Sequence, residues 1–308
     1  MTRPRLFLHA WSLRYRLRHD QAFGFDGLVA RAVADGFDGI GINFNGPQGQ
    51  FLDTGDGGRV QRAAETLRKH GLDCDLETTG TDPRHLAAQL DLAVAFGAGY
   101  LHTYSTHTGT RAEMLDATIR DLVAIGPLAE ERGVPVLIEN HEEFTGVEIA
   151  RILEAVNHPH IGALFDYGNS MMVREDPFAA LEAMLPWVRG AHMKDHVVMD
   201  GKICGVPIGE GVLPIAETTR RLADAGMTRI SFENVWSYTS GFHPREDGLP
   251  EETDASPIFA PCEDPRDAAF FLPEAGIAFG HDPARVVALE EDAYQRAAFN
   301  VGTPLADV

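Results

Sequence analysis

The chain predicts an α/β protein, a (β/α)8 TIM barrel with a long insertion after strand eight. Three observations carry that reading. Eight short apolar runs recur along the chain, stretches with helical spacing separate them, and 308 residues with 44% hydrophobic content can bury the core of one large barrel. The runs are RLFLHA (5–10), DGIGIN (38–43), LDCDLET (72–78), AGYLHTYS (98–105), VPVLIENH (134–141), HIGALFD (160–166), VRGAHMKD (188–195) and TRISFEN (228–234). Between them Val60, Ala63, Ala64 and Leu67, and again Ile149, Ile152, Leu153 and Val156, fall at i, i+3, i+4, i+7, the stripe by which a helix packs on a sheet. Asp82-Pro83 and Asp176-Pro177 mark helix starts, and Gly71, Gly97, Gly133 and Gly226 mark helix stops. Strands that each lead into a helix close into a parallel barrel, although a doubly wound open sheet shares the same periodicity.

Residues 237–282 break this rhythm, being dense in Pro, Gly and acids, before a last helix expected around Pro283 to Phe299. A connection that long in a compact domain is a functional or a disordered element. The apolar pieces IFA and AAFFL inside it predict burial, either on the barrel mouth or on another chain. Residues 1–308 therefore read as a single barrel domain carrying this insertion.

Charge and cysteine usage narrow the function. Against 46 Asp and Glu stand 26 Lys and Arg, a net charge of −20 that repels phosphate backbones and anionic lipid, so neither nucleic acid nor membrane is an expected partner. Abasic-site DNA repair, a neighbouring reading for this barrel type, is excluded on the same ground. Cys74, Cys204 and Cys262 show neither paired spacing nor a zinc motif, which fits a reducing cytoplasm. LFLHAW is too short for a signal-peptide core, and no run approaches the roughly 20 apolar residues of a membrane span.

In a barrel of this kind the reactive groups sit at the C-terminal ends of the strands. Strand five ends at Glu139 and His141, strand six at Asp166, strand seven at His192 with Lys194 beyond it, and strand eight at Glu233. Three carboxylates crowded at one rim repel one another unless a cation neutralises them. A divalent ion held by Glu139, Asp166, His192 and Glu233 resolves that repulsion, and the oxygen-rich set favours Mn²⁺, with Mg²⁺, Co²⁺ or Zn²⁺ as alternatives. His9 and His102 also close strands, while Trp11, Trp236 and Tyr238 lie near strand ends, where rings stack on a sugar or serve as rim packing. Period-two alternation places His141 on the same face as Glu139, so it reads as a general base with a pKa near neutrality or as a hydrogen-bond partner that orients Glu139.

The set IENH, FDYGN, AHMKD, IGEG and SFEN resembles the sugar phosphate isomerase/epimerase group, the xylose isomerase-like barrel family, over roughly residues 5–236 and the final helix. The resemblance implies an eight-stranded α/β barrel, with Glu139, Asp166, His192 and Glu233 as metal ligands and Asn169, Lys194 and Asp195 as supporting residues. It also implies proton removal next to a carbonyl of a keto-sugar or 3-oxo-glycoside, with Glu139, Glu233 and His141 as catalytic groups and His9, Trp11, His102, Lys194 and Trp236 as substrate contacts. The IGEG turn departs from the family in running on to Val212-Leu213-Pro214, where the family places an acid. LHAWSLR (8–14), the ENH triplet and the insertion are similar to the large subunit of a C-glycoside deglycosidase, a lyase that works with a small β subunit. A sugar epimerase or isomerase, or a 3-oxo-sugar-acid decarboxylase or dehydratase, are the alternatives within the family. A non-catalytic carbohydrate-binding subunit, alone or as a homo-oligomer, is the alternative of another class.

Overall fold

The computed structural model describes residues 4–44, 52–243, 256–263, 266 and 282–302. Eight parallel strands close a barrel: β1 (Arg5–His9), β2 (Gly39–Asn43), β3 (Asp73–Glu77), β4 (Leu101–Thr103), β5 (Val136–Glu139), β6 (Ile161–Asp166), β7 (Val188–Met193) and, as the eighth, β10 (Arg229–Phe232). Closure is direct, since β1 pairs with β2 on one side and with β10 on the other, the latter in the register Leu8↔Phe232. The open doubly wound sheet is thereby eliminated.

Around the barrel lie α2 (Gly24–Ala34), α3 (Gly57–His70), α4 (Pro83–Phe96), α5 (Arg111–Arg132), α6 (Gly146–Val156), α7 (Pro177–Met184) and α8 (Ile215–Asp224), after a short α1 (Arg14–His19). The expected stripes are the buried faces, with Val60, Ala63, Ala64 and Leu67 inward on α3 and Ile149, Ile152, Leu153 and Val156 inward on α6. Asp82 and Asp176 accept the first backbone N–H groups of α4 and α7, each followed by Pro, and Gly71, Gly97 and Gly133 end their helices in the left-handed region.

Two features depart from the sequence expectation. Between β7 and α8 the chain forms a hairpin, β8 (Asp195–Met199) with β9 (Lys202–Val206), turned by Asp200-Gly201 at φ 51° and 69°, the positive values that a two-residue type I′ turn requires. The fifth strand stops at Glu139 rather than His141, because the Asn140 amide takes over the ladder: its Nδ2 donates to Asp166 O at 3.1 Å and its Oδ1 accepts from Asp166 N at 2.7 Å. Period-two alternation therefore does not extend to His141.

The start of the insertion packs on the hairpin. β11 (Thr239–Ser240) pairs antiparallel with β9, Pro261 bridges Val198, and Phe259 of the IFA piece is buried near Phe242. Residues 244–255, 264–265 and 267–281, which include AAFFL, lie outside the described residues. Among the described residues no helix is long and apolar enough to cross a membrane.

The last helix, α9 (Pro283–Gly302), starts where the sequence placed it and is tied to α1 by one buried carboxylate. Glu290 accepts from Tyr15 N at 2.8 Å and Arg16 N at 2.9 Å, supplying the cap that α1 has from no side chain at its own N-terminal boundary. Burial pushes the Glu290 carboxyl up to about 7 against the pull of Arg14 and the two N–H donors. A folded-state pKa above the unfolded value means that the native state binds the extra proton, so this group's contribution to stability falls as pH rises from about 4.5 to about 7. Glu290→Gln keeps an acceptor and removes the buried charge, and chemical denaturation should show its stability at pH 8 equal to or above the parent's. Glu290→Ala orphans two N–H groups and should lose about 1–3 kcal/mol at the same pH.

Candidate metal centre

The C-terminal ends of the strands converge on one pocket of about 370 Å³. Its floor is polar: His9 closes β1, Glu77 closes β3, Glu139 closes β5, His192 stands one residue before the end of β7, and Glu233 follows β10, while Asp166, which closes β6, is fully buried and does not itself line the pocket. Glu233 is held in place by its own N–H, which continues the ladder to Met193 O at 2.9 Å, and by the Ser12 hydroxyl, which donates to Phe232 O and accepts from Asn234 N.

His192 is the hub. Its Nδ1 lies 3.3 Å from Glu139 Oε1, 3.7 Å from Glu233 Oε2 and 4.0 Å from Asp166 Oδ2. Ligands about 2.0–2.2 Å from one octahedral ion are separated by about 3 Å when adjacent and about 4 Å when opposite, so the spacing of Glu139, Asp166 and His192 suits a single divalent centre, while Glu233 groups with His192 and His9. Glu139, Asp166 and His192 each offer a ligand atom within 4.8 Å of the others. Asp166 is aimed by its backbone surroundings: Oδ1 accepts from Gly168 N and Asn169 N at 2.9 and 2.8 Å, which turns Oδ2 toward the cluster. Asp166 Oδ2, Glu233 Oε2, Glu77 Oε1 and His192 Nε2 are buried with ion-pair contacts but no hydrogen bond. Three carboxylates and an imidazole with unsatisfied buried oxygens fit a hard or borderline divalent cation.

Lys194 reaches into the same cluster, with Nζ 2.8 Å from Asp166 Oδ2, 3.0 Å from Glu233 Oε2 and 3.3 Å from Asn169 Oδ1. The crowding shows in the acidities. Burial, reinforced by Glu139 and Glu233 and opposed by Lys194, pushes Asp166 up to about 6. Burial acts on Glu233 in the same sense, but Lys194, His9 and His192 outweigh it and hold the carboxyl down to about 2.

Glu77 was not singled out by the sequence reading. It lies 2.6 Å from His9 Nε2 and 3.4 Å from His192 Nε2, so it grips the face of the His192 ring opposite the ligand-facing nitrogen. The signal that could have found it is the one that found the others, since Glu77 is the last residue of the third strand and lies in register with His102 on the fourth. His102 in turn places Nε2 3.1 Å from Glu139 Oε2. His9, Trp11, His102 and Lys194 all line the pocket, joined by Tyr104, Glu142 and Tyr238.

Two expectations are corrected. Trp236 is not among the pocket residues, because its ring is buried beside Tyr15, Val286 and Ala293 under α9, while the adjacent Ser237 takes φ 66° and carries the chain back to Tyr238 at the rim. His141 does line the pocket, but as a loop residue stacked 3.8 Å over Tyr104 at 9°, with Nδ1 3.2 Å from Glu143 Oε1. Burial lowers its basicity, while the Glu143 hydrogen bond and the charges of Glu139, Glu143 and Glu142 raise its pKa to about 9. Arg111, at the start of α5, secures this loop by donating to Glu143 O and pairing with Glu148 at 3.1 Å.

A sequence model of the xylose isomerase-like TIM barrel family matches residues 29–256. The uncharacterized protein YihM of Escherichia coli (strain K12) is 23% identical over 194 residues, 63% of this chain and 59% of that protein. The 3-oxo-isoapionate decarboxylase of Pectobacterium atrosepticum is 27% identical over 128 residues, 41% of this chain and 45% of the enzyme. The chain thus covers less than two thirds of the length of either relative. Among solved structures, the IolI protein with a bound zinc atom superposes with a TM-score of 0.66 at 13% identity over 98% of both chains, a likeness of fold.

Removing one carboxylate of the cluster tests the ligand set. Asp166→Ala should bind no Mn²⁺ after gel filtration while keeping the far-UV circular dichroism of the parent. Full metal occupancy in that variant would show that Asp166 is not a ligand.

Proposed function

Because the chain belongs to the xylose isomerase-like TIM barrel family, we propose that it is a divalent-metal-dependent enzyme that removes a proton next to the carbonyl of a keto-sugar or 3-oxo-glycoside. The observation that carries this reading is the bracketing of His192 by Glu139 and Glu233. The two glutamates stand on β5 and just after β10, separated in the barrel by β6 and β7, and both turn an oxygen toward His192 Nδ1.

Glu139, Asp166, His192 and Glu233 would hold the ion, Mn²⁺ in the first instance, since three of the four donors are carboxylates. Bound there, the ion would act as a Lewis acid on a carbonyl and a neighbouring hydroxyl. The chain's own groups do the rest. Glu139 and Glu233 flank a substrate lying over His192, each with an oxygen able to take or return a proton at carbon. Lys194 fixes the Glu233 carboxylate through Oε2 and Asp166 through Oδ2, and Asn169 orients both sides by donating to Glu139 Oε1 at 3.3 Å and accepting from Lys194. His141, held flat on Tyr104 and tied through Nδ1 to Glu143, offers its other ring nitrogen for proton transfer with a substrate oxygen or carbon.

The fate of the abstracted proton defines the finer reading. Departure of a β-substituent would make the protein the catalytic subunit of a C-glycoside deglycosidase, with a small β subunit docking on the 237–282 segment; the aromatic walls Trp11, Tyr104 and Tyr238 suit a substrate with an aglycone. Return of the proton to carbon gives epimerisation or isomerisation; decarboxylation of a 3-oxo-sugar acid, which draws support from the name of the Pectobacterium relative, would use the same site without proton abstraction, the C–C bond to CO₂ breaking to leave an enolate that a side chain then protonates.

NMR in D₂O of the Mn²⁺-loaded protein with keto-sugars and 3-oxo-glycosides is the test. Exchange or release at the position next to the carbonyl is expected, with at least a 100-fold loss in Glu233→Gln and in His141→Ala, the latter with metal content unchanged. Unaltered exchange in His141→Ala would remove that residue from the mechanism, and absence of any exchange by the parent would favour a binding subunit.

A further inference from the structure

We infer that the substrate is an unphosphorylated sugar and that the site rejects phosphate esters, an inference that rests on the reading of this pocket as a carbohydrate site. Two independent features of the molecule lead there.

The first is the charge of the walls. Glu77, Glu139, Glu142 and Glu233 line the pocket, and Lys194 is the sole Lys or Arg among its described lining residues. That ammonium is already shared between Asp166 Oδ2 and Glu233 Oε2 at 2.8 and 3.0 Å. At the rim Glu142 is engaged by the Tyr238 hydroxyl and by His243 Nε2 at 3.0 Å, so its charge stays fixed over the opening. A bound divalent ion would offset the carboxylates of the cluster itself, so the repulsion that a dianionic phosphate meets comes chiefly from Glu142 at the opening. In the sequence outside the described residues the only Lys or Arg are Arg3 and Arg245, the latter in a stretch, 244–255, with five acids.

The second is the glycine loop. In α/β barrels a phosphate commonly binds where the loops after strands seven and eight present backbone N–H groups. This chain builds such a cradle after its seventh barrel strand and fills it with its own anion. Asp195 Oδ2 accepts from Gly209 N and Gly211 N, both at 2.9 Å, and Oδ1 accepts from His196 N at 2.9 Å and Leu213 N at 3.1 Å. The fit is close: Gly209 has φ +88°, and a Cβ on Gly211 would fall 2.1 Å from Asp195 Oδ1. Four donors arranged for an anion are thus spent on a buried side chain one residue from Lys194. The IGEG turn positions the loop that carries Lys194, and the N–H groups of His196, Gly209, Gly211 and Leu213 are spent on Asp195 instead of a phosphoryl group. What the pocket does offer, the Tyr104 hydroxyl and the flat face of Trp11, suits hydroxyl groups and the C–H face of a sugar ring.

Calorimetric titration of the Mn²⁺-loaded protein with D-fructose, D-psicose and D-tagatose, each beside its 6-phosphate, tests the inference. At least one free ketose should bind, and its phosphate should bind at least tenfold more weakly. A phosphate ester that binds at least as tightly as its free sugar, or that binds where none of the free ketoses does, overturns the assignment. Solvent deuterium uptake measured in the same samples separates the two readings: a phosphate ester that exchanges faster than its free sugar leaves the proton-transfer function standing and rejects the substrate class.

Discussion

Burying several carboxylates in one place is the constraint on which the rest of this structure depends. Glu77, Glu139, Asp166 and Glu233 are all at most 7% exposed, and a barrel that closes its mouth with like charges must supply cations or protons to each. The chain supplies Lys194, His9, His102 and His192, and it aims the remaining oxygens at a common point. Much of the local architecture serves that aim. Asn140 ends the fifth strand so that Asp166 is gripped from the neighbouring ladder, Ser12 pins the end of β10, and the Asp195-bound glycine loop fixes the backbone next to Lys194. The proposed function would follow from the same constraint, because groups that gather a divalent ion next to basic oxygens are the groups that make a C–H bond beside a carbonyl acidic.

The barrel was legible in the sequence because its strands are short, apolar and regularly spaced, and because each helix carries an explicit stop or start. The site was legible for a related reason. Core strands end where the chain leaves the apolar interior, so a charged residue at such a point is either solvated or functional, and Glu139, Asp166, His192 and Glu233 fall there on four successive strands of the barrel. Glu77 obeys the same rule at the end of the third strand. The hairpin β8–β9 was written in Asp200-Gly201 between β-prone runs, but the strand-helix rhythm concealed it.

Other features were beyond sequence reasoning for physical causes. The orientation of His141 depends on a side-chain amide replacing a backbone ladder and on a stack with Tyr104, a residue from a different strand end. The burial of Trp236 depends on α9 returning from the far end of the chain to cover it. Both are set by contacts between residues far apart in sequence, which neither periodicity nor spacing encodes. The acidity of His141 follows from those contacts too, as three nearby glutamates outweigh the cost of burying its charge.

The central claim is that four strand ends hold one divalent ion at the floor of the pocket. Anomalous diffraction from a crystal soaked in Mn²⁺, collected at the manganese absorption edge, tests it most directly. The account predicts a single strong peak per chain bounded by Glu139, Asp166, His192 Nδ1 and Glu233. A peak elsewhere, or none with the soak at saturating concentration, would contradict it and leave Lys194 as the only cation those carboxylates were built to hold.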